Sequence, residues 1–495
     1  MLLGKCDSPS SCLGRSLRRR AMTTLLALCV TLQITGTTVR AAMLDCATLT
    51  GVVNVSAIVT GPGGSRDLQW ADCNITNASV VIRMSAVPPD GPPVSLTFGP
   101  RLNASGAASL TIVGGSSQTV ANATLILVDS LIRVTGGKHF LSVLAATVVN
   151  VRLRVSNSTV EVSSDDPDVS VASFVDVVTL ASSSIEVEGS VLRVGTSSLL
   201  LQGGPVPGPR AAAASVVVRY GLTTLSDVSL SATQSTVFST SSAGSVAALG
   251  VTFQAIPNNY EVATVSNMTL LCLSSNITAA GGERGNVIAA AAVAVGYGSV
   301  ILTNATLRVT SSRVGATAYE GYAIAAGGVG VGYGSTTLSG VTILVASSHV
   351  AAGATLAAFG FAAVGVGLYS GVATLHHVAM AASFSTISVA TTTFFAMAAA
   401  AVGVATAEGT VNLTHVTVTA SSSVVTATGT INSAAIAAVG VGLHQRTNMP
   451  GYSTLTLSHV TFLAVSANIT IAAGAQGAAG VGVGVYNGVV TLMNV

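Results

Sequence analysis

A phrase that recurs about every 36 residues restricts this chain to folds built by stacking one unit on the next. The second half of the phrase is a turn followed by Thr-Leu-x-His/Asn-Val-Thr. Self-similarity at this interval predicts a repeat protein, in which no single conspicuous residue carries the function. The first half, Val-Gly-Val-Gly with an occasional Ala, begins at Val293, Val329, Val364, Val402, Val439 and Val481.

Three columns of residue types stay in register through the repeats. Asn, Asp, Gly and His tolerate positive φ best, so the first column predicts one left-handed turn position per unit. It comprises Asn150, Asp227, Asn267, Asn304, Gly340, His377, His415, His459 and Asn494. Eight residues later stand Ser158, Ser235, Ser275, Ser312, Ser348, Ser385 and Ser423, with Ala467 as the departure. Two residues further stand Val160, Val237, Ile277, Val314, Val350, Ile387, Val425 and Ile469.

Between the columns the pattern alternates with period two, as in Val416-Thr417-Val418-Thr419, which indicates strands. No repeat contains a capped amphipathic helix, which argues against helical solenoids. We therefore predict an all-β fold, a right-handed parallel β-helix (β-solenoid) with repeats of about 36 residues. One wide coil per repeat is favoured, and two coils of about 18 residues are the alternative. The expected organisation is a signal peptide (1–41), an N-terminal cap with irregular strands (42–105), an irregular solenoid (106–256) and regular repeats (257–495) that end mid-repeat.

The N-terminus predicts export. Basic residues precede an apolar segment from Met22 to Ile34, and cleavage is expected after Ala41, with an uncleaved signal anchor as the alternative. In an oxidising compartment Cys46 and Cys73 could form a disulfide, whereas Cys272 is expected to be a buried small hydrophobe. Eleven of the nineteen asparagines lie in Asn-x-Ser/Thr sequons and are candidate glycan acceptors. They are Asn54, Asn74, Asn77, Asn103, Asn122, Asn157, Asn267, Asn276, Asn304, Asn412 and Asn468.

Composition excludes several classes of function. A net charge of +2, with 8% charged and 4% aromatic residues, offers no surface for nucleic acid. The mean hydropathy of +0.70 comes from short segments rich in Ala, Gly and Val, which argues against a bundle of membrane-spanning helices. No cofactor motif occurs, and the histidines of the turn column alternate with Asn and Gly, so backbone conformation explains them better than metal binding.

One acidic segment offers a catalytic candidate. Asp165, Asp166 and Asp168 form the only dense acidic cluster, and pectate-lyase-like β-helices use such carboxylates to hold calcium or to act as acid and base. No companion Arg or Lys stands at a coherent spacing, so we predict a solvated turn and no catalytic residue.

The glycines of the Val-Gly-Val-Gly phrase suggest an interaction surface. If the valines face inward, the glycines form a bare stripe, together with alanines such as Ala398 to Ala401, that could pack on another surface. The alternative is that glycine relieves crowding in a tight coil. The first hypothesis predicts that Asn in place of Gly330, Gly365 and Gly440 disrupts an assembly and leaves the fold intact.

The repeats also resemble a family. Phrases such as Gly409 to Val418 (Gly-Thr-Val-Asn-Leu-Thr-His-Val-Thr-Val), with the signal segment, are similar to the repetitive surface glycoproteins of kinetoplastids, namely the trypanosome dispersed gene family and related membrane-associated proteins. The resemblance implies a long, glycosylated β-helical protein at the cell surface, with no catalytic residues to carry over. Membrane attachment is expected only through a segment not present in this chain.

The expected function is therefore non-enzymatic: an extracellular, surface-associated β-solenoid glycoprotein that serves as a stalk, coat or adhesive surface. Surface glycans, host or neighbouring surface proteins, or further copies of the chain are its expected partners. The alternative is a secreted β-helix enzyme, a lyase or hydrolase that acts on polysaccharide.

Overall fold

A computed structural model shows that the chain winds into parallel coils of short strands. It describes residues 42–49, 51–55, 66–84, 93–114, 118–166, 168–196, 210–218, 222–241, 245–253, 262–281, 287–289, 292–318, 322–325, 328–354, 359–391, 397–429, 434–444, 453–472, 476–486 and 488–495. The predicted signal peptide lies outside the described residues. Residues 43–495 form one compact unit, to which the following description applies.

Two parallel sheets run along the unit. The smaller, called sheet 2, stacks one strand from each of twelve coils. Its strands are Asn74–Thr76, Asn103–Gly106, Leu131–Thr135, Thr159–Ser164, Val191–Thr196, Thr236–Ser241, Asn276–Gly281, Arg313–Ala318, His349–Ala354, Thr386–Thr391, Val424–Gly429 and Asn468–Ala472.

The larger sheet, sheet 1, forms the other sides of the coil and has 36 strands. They are Ala42–Met43, Gly51–Asn54, Asp67–Trp70, Ser79–Arg83, Val94–Phe98, Ser109–Val113, Thr119–Val128, His139–Leu144, Thr147–Ser156, Asp168–Val171, Phe174–Val175, Thr179–Ala181, Ser184–Glu188, Arg210–Ala213, Ser215–Val218, Thr223–Ser226, Ser229–Thr233, Ser245–Ala247, Gly250–Phe253, Val262–Ser266, Thr269–Leu273, Val287–Ala289, Ala292–Thr303, Thr306–Thr310, Tyr322–Ala325, Gly328–Ser339, Thr342–Ala346, Phe359–His376, Ala379–Ser383, Met397–Thr414, Thr417–Ser421, Ala434–His444, Ser453–Ser458, Thr461–Val465, Gln476–Tyr486 and Gly488–Met493. A 3-10 turn, Cys46–Thr48, lies near the start.

The strand register confirms the predicted fold class and decides the number of coils per repeat. Ser299 pairs with Ser335 and Ser335 with Val372, so each strand lies beside its equivalent in the next repeat. One repeat therefore makes one wide coil. The coil is not of constant length, because successive residues of the serine column are separated by 28 residues near Ser130, by 45 after Ser190 and by 36 after Ser312.

The predicted turn column adopts the left-handed conformation at every member. Its φ angles lie between 51° and 64° at Asn150, Asp227, Asn267, Asn304, Gly340, His377, His415, His459 and Asn494. A single left-handed residue redirects the strand while the ladder continues through it, since the Asn304 amide still donates to the Ser339 carbonyl in the next coil. Residue types that tolerate positive φ therefore define this corner of the coil.

A second left-handed column, which the sequence pattern does not reveal, lies seven residues after the first. Its φ angles are between 46° and 55° at Asp129, Asn157, Gly189, Gln234, Ser274, Ser311, Ser347, Phe384, Ser422 and Ser466. Half of these residues are serine and the others range from Gly189 to Phe384, so this column is less uniform in residue type than the turn column. Each one precedes a position of the serine column, where the strand of sheet 2 is about to begin.

The serine column forms an internal hydrogen-bonded ladder. The Ser312 hydroxyl donates to the Thr310 carbonyl at 2.7 Å and accepts the amide of Ser275 from the preceding coil at 3.1 Å. The same arrangement joins Ser130, Ser158, Ser190, Ser235, Ser275, Ser312, Ser348, Ser385 and Ser423, all of them buried. The hydroxyl thus satisfies backbone groups that the second left-handed residue takes out of the strand ladder.

The interior is filled by aliphatic side chains that stack from coil to coil. Seven members of the β-branched column are buried and Ile469, in the last coil, is half-buried. The buried members are Val160, Val237, Ile277, Val314, Val350, Ile387 and Val425. The largest buried side chains lie in the early coils, where Trp70 stacks on Phe98 with ring centroids 5.3 Å apart. Successive side chains of a strand point to opposite faces, and those that point into the coil are apolar, so the same residue position of each coil contributes to the core.

Candidate functional site

Most of the sequon asparagines lie on the surface of the solenoid. The side chains of nine of the eleven are exposed: Asn54, Asn74, Asn77, Asn103, Asn157, Asn267, Asn276, Asn304 and Asn468. Asn267 and Asn304 occupy the turn column, and Asn157 occupies the second left-handed column. Asn74 and Asn103 are direct neighbours at the start of sheet 2, where Asn276 and Asn468 also stand. Many acceptors therefore gather on one side, between the turn column and the start of sheet 2.

Two sequons are less accessible. The Asn412 side chain is half-buried on its strand. Asn122 is only 5% exposed, and its Oδ1 accepts a hydrogen bond of 2.6 Å from the Nδ2 of Asn150 in the next coil. A glycan on Asn122 would break this contact, so the buried position disfavours Asn122 as an acceptor.

The cysteines of the described part have two different environments. Cys46 and Cys73, the pair proposed from the sequence, are joined by a disulfide between the 3-10 turn and the residue before the first strand of sheet 2. Cys272 is free and fully buried, and burial raises the pKa of its thiol to about 11. The prediction that Cys272 is a small buried hydrophobe is confirmed, because its free thiol is fully buried.

The acidic segment has a basic companion that the sequence spacing did not reveal. Lys138 and His139 lie one coil earlier, and the strands pair His139 with Ser170. The Lys138 ammonium makes an ion pair with Asp166 at 2.8 Å. The other carboxylate oxygen of Asp166 accepts the amide of Asp168 at 3.3 Å. Asp166 is therefore held by two partners, whereas Asp165 is exposed at the turn.

His139 begins a chain of hydrogen bonds that leads into the core. Its Nδ1 lies 2.8 Å from the Ser170 hydroxyl, which donates to the buried Ser142 hydroxyl at 2.8 Å. Because Ser170 gives its proton to Ser142, Nδ1 of His139 is the donor and Nε2 of the neutral ring is the acceptor. Burial lowers the pKa of His139, and the negative charge of Asp168 opposes that shift.

This cluster can do limited chemistry. A neutral histidine beside a carboxylate could accept a proton from a substrate, but Lys138 is already engaged by Asp166. Within the part of the chain that the structure describes, no group of three or more His, Cys, Asp or Glu side chains could hold a metal ion. The residues bring together a histidine, a lysine and carboxylates, and the strand register places Arg210 beside Asp168.

The histidines of the turn column form an exposed stack. The rings of His377 and His415 are nearly parallel with centroids 4.9 Å apart, and those of His415 and His459 are 4.7 Å apart. His376, the neighbour of His377, has its ring edge-on to His377 at 4.0 Å. The left-handed turn therefore explains why histidine is tolerated at these positions, and the spacing between coils brings the imidazole rings into contact.

The glycine stripe needs a correction. The ladder pairs Val329 with Val366 rather than with Val364, so the phrase aligned on its valines is displaced by two residues there. In the true register Gly365, Gly403 and Gly440 occupy one corner with φ between 136° and 152°. A Cβ on Gly365 would overlap the carbonyl oxygen of Gly403 in the next coil. The prediction that Asn at Gly365 and Gly440 leaves the fold intact is wrong, because the fold itself requires glycine there.

No protein-family model matches the chain, and no curated protein is similar to it in sequence. The resemblance to kinetoplastid surface glycoproteins therefore stays a prediction. None of the helices that the described residues form is long and apolar enough to cross a membrane.

Proposed function

We propose that this chain is an extracellular, surface-associated β-solenoid glycoprotein that acts as a stalk, coat or adhesive surface and has no enzymatic activity. The observation that carries the proposal is that seven of the nine exposed sequon asparagines lie between the turn column and the start of sheet 2. Asn267 and Asn304 at the turn, Asn157 at the second kink, and Asn276 and Asn468 at the start of sheet 2 repeat along the coils.

Glycans on that side would leave another side of each coil uncovered. Among the described strands after residue 106, those such as Arg210–Ala213, Gly328–Ser339 and Met397–Thr414, which precede the turn column in each coil, carry one sequon, the half-buried Asn412. They are rich in Ala, Gly and Val, and their described side chains are buried or half-buried, as at residues 211–213 and 401–404.

Two features that are typical of exported proteins support the same proposal. The N-terminal segment has the composition of a signal peptide, and the Cys46–Cys73 disulfide requires an oxidising compartment to persist. Twelve coils at about 4.8 Å per coil give sheet 2 a length of roughly 50 Å, which is suitable for a spacer.

The proposal is tested by expressing the full chain in a eukaryotic secretory host and mapping occupied sequons by mass spectrometry after glycosidase treatment. We expect occupancy at several exposed sequons, including Asn267 or Asn304, and none at the buried Asn122. In cells of the source organism, antibodies against residues 262–495 should label intact cells. A chain that is retained inside cells and carries no glycan would contradict the proposal.

The second candidate, a secreted β-helix enzyme that acts on polysaccharide, is favoured by one observation. His139, with its Nδ1 fixed by Ser170, lies beside Asp168, and this pair could provide a general base. The chain should be assayed on a panel of acidic and neutral polysaccharides for new reducing ends and unsaturated products.

Variants distinguish the candidates. If the cluster is catalytic, His139→Asn and Asp168→Asn should each abolish product formation, whereas Glu186→Gln, a carboxylate on another strand that pairs with Arg152, should not. Absence of product with the wild-type chain, or equal turnover in all three variants, removes this cluster as an active site.

A further inference from the structure

The residues His376 and His377 project to the same side of the solenoid although they are neighbours in sequence. In a regular strand, consecutive side chains point to opposite faces. His377 adopts the left-handed conformation of the turn column (φ 52°), which breaks the alternation, and both side chains are exposed. Other coils have the same kink, but only here do two imidazoles flank it.

The two imidazoles converge through their Nδ1 atoms. The Nδ1 of His376 lies 2.8 Å from the Nδ1 of His377, and the two ring planes are nearly perpendicular at 88°. Two nitrogens at this distance share one proton in a hydrogen bond, so at least one ring presents its lone pair to the other. A metal ion could replace that proton after a small rotation of the two rings.

Neighbouring coils hold the His377 ring in position. His415 stacks on it with an angle of 7° between the planes, and the His415 centroid is 6.0 Å from that of His376. His459 continues the stack, with Ser458 at 2.9 Å from its Nδ1 and Asn494 at 3.2 Å from its Nε2. The pair thus sits on a supported corner rather than on a free loop.

We propose that His376 and His377 form a surface binding site for a divalent transition-metal ion that prefers tetragonal geometry, with Cu²⁺ bound most tightly. Nitrogens in cis positions, each at about 2.0 Å from a square-planar ion, are about 2.8 Å apart, whereas two tetrahedral ligands are about 3.3 Å apart. The observed separation is that of a hydrogen bond, and it is closer to the square-planar distance than to the tetrahedral one. Nitrogen sites also bind Cu²⁺ more tightly than the other divalent ions of the first transition row.

The site is open, because two protein nitrogens leave further coordination positions to water or to an external ligand. A metal ion there would remain available to a second molecule, such as a histidine or carboxylate side chain of a neighbouring protein at the surface. This distinguishes the site from a closed structural metal centre, which fills its coordination sphere with protein side chains.

The repeat itself supplies matched variants. Asn occupies the turn position at Asn267 and Asn304, so His377→Asn retains a residue that tolerates positive φ. Thr or Ser stands where His376 does in the aligned coils, as at Ser339 and Thr414, so His376→Thr should also fold. His349→Asn, on sheet 2, is the control that removes one histidine far from the pair in the coil.

The test is a titration of the full chain, purified without a histidine tag, with CuCl₂, followed by calorimetry and electron paramagnetic resonance. We expect one Cu²⁺ with two imidazole nitrogens, an affinity at least tenfold lower in His376→Thr and in His377→Asn, and no change in His349→Asn. Zn²⁺ should bind at least tenfold more weakly than Cu²⁺. Equal affinity in the wild type and His377→Asn, an equal loss in His349→Asn, or tighter binding of Zn²⁺ would overturn the proposal.

His415 is a positioning residue in this proposal. His415→Asn should keep the two-nitrogen spectrum and lower the Cu²⁺ affinity by less than threefold. A three-nitrogen spectrum in the wild type that falls to two nitrogens in His415→Asn would overturn the two-histidine assignment. Far-ultraviolet circular dichroism of each variant checks that the strands are retained.

Discussion

The early and late coils turn the same corner by different chemistry. The strand ladder places Ser215 in register with Gly250, and continues from there through Ala292, Gly328 and Gly365. Ser173 and Ser142 precede Ser215 at the equivalent positions. One corner is therefore occupied by serine in the early coils and mainly by glycine in the late coils.

The serine corner is satisfied by side-chain hydrogen bonds. The Ser215 hydroxyl donates to the Ala213 carbonyl at 2.8 Å, and the Ser215 amide donates to the Ser173 hydroxyl at 3.3 Å. From Gly365 onward the corner has no side chain, and the backbone of Gly365, Gly403 and Gly440 takes a φ that a side chain would strain. The comparison shows that a buried hydroxyl or a permissive backbone can each complete the same turn.

The early and late coils also differ in their ion pairs. The structure has six ion pairs between described residues, and all of them lie between Asp72 and Arg193. They join neighbouring coils, as when Glu161 pairs with Arg133 on one side and with Arg193 on the other. The early coils combine charged rungs, aromatic core residues and a disulfide, whereas the late coils depend on close stacking of small residues.

The largest effect should come from the glycine corner. In Gly403→Ala the new Cβ would overlap the Gly440 carbonyl oxygen at a φ of 136°. Strain and overlap together should lower the free energy of unfolding by about 3–5 kcal/mol, measured by denaturant titration. In the control Gly315→Ala, the Cβ would lie 3.8 Å from the Thr278 side chain, and stability should change by less than about 0.5 kcal/mol. Equal stability of the two variants would contradict the assigned corner.

The disulfide should affect the early coils alone. Changing Cys46 and Cys73 to Ala opens a loop with a sequence separation of 27 residues. The free energy of unfolding should therefore fall by about 3–4 kcal/mol. Hydrogen exchange should accelerate in residues 67–113 and stay unchanged in residues 262–495, because each coil contacts only its neighbours. Cys272→Ala, which removes the free buried thiol, is the control; faster exchange throughout the chain in the double variant would show that the regions are coupled.

The serine ladder should stabilise both regions equally. Ser312→Ala leaves the Ser275 amide and the Thr310 carbonyl without their hydroxyl partner in a buried position, so the cost should be about 1–3 kcal/mol. Ser158→Ala in an early coil should cost the same within error. Ser388→Ala, half-buried on the outer side of sheet 2, is the matched control. A late-coil cost much smaller than the early-coil cost would restrict the ladder's role to the early region.

The charged rungs should have the smallest effect. Glu161→Gln removes both of its ion pairs, and the exposed fractions of the partner arginines are 67% and 58%. Exposed pairs contribute little, so the free energy of unfolding should fall by at most about 1 kcal/mol at low salt and by less at high salt. If the loss of unfolding free energy is unchanged at high salt, the Glu161 side chain stabilises the coils by packing and not through its ion pairs.

The sequence predicted the fold because its columns report local backbone requirements. Asn, His and Gly at the turn position identify a left-handed residue whatever the rest of the coil does. The sequence pattern did not identify Ser130 and Ser190 as members of the serine column. The coil length changes around them, from 28 to 32 and then to 45 residues. The valine alignment failed at Val364 because Val-Gly alternation looks the same after a shift of two residues.

The candidate site was harder to predict, because its parts are brought together by the winding. Lys138 and Asp166 are far apart in sequence and are joined by a coil length that varies along the chain. Asn122 looks like any other sequon, and only its contact with Asn150 shows that it is buried. Pairing between coils, rather than local pattern, decides which polar residues meet.

The serine ladder also gives the solenoid a direction that suits growth by whole units. From Ser130 to Ser423 the amide of each serine donates to the serine hydroxyl of the next coil, so these eight junctions between coils share the same contact. Duplication or loss of one complete coil in the gene would create a junction already present elsewhere in the protein. Length can therefore change in steps of one coil without redesign of the interior, whereas an insertion that ends partway round a coil would break the ladder at two places.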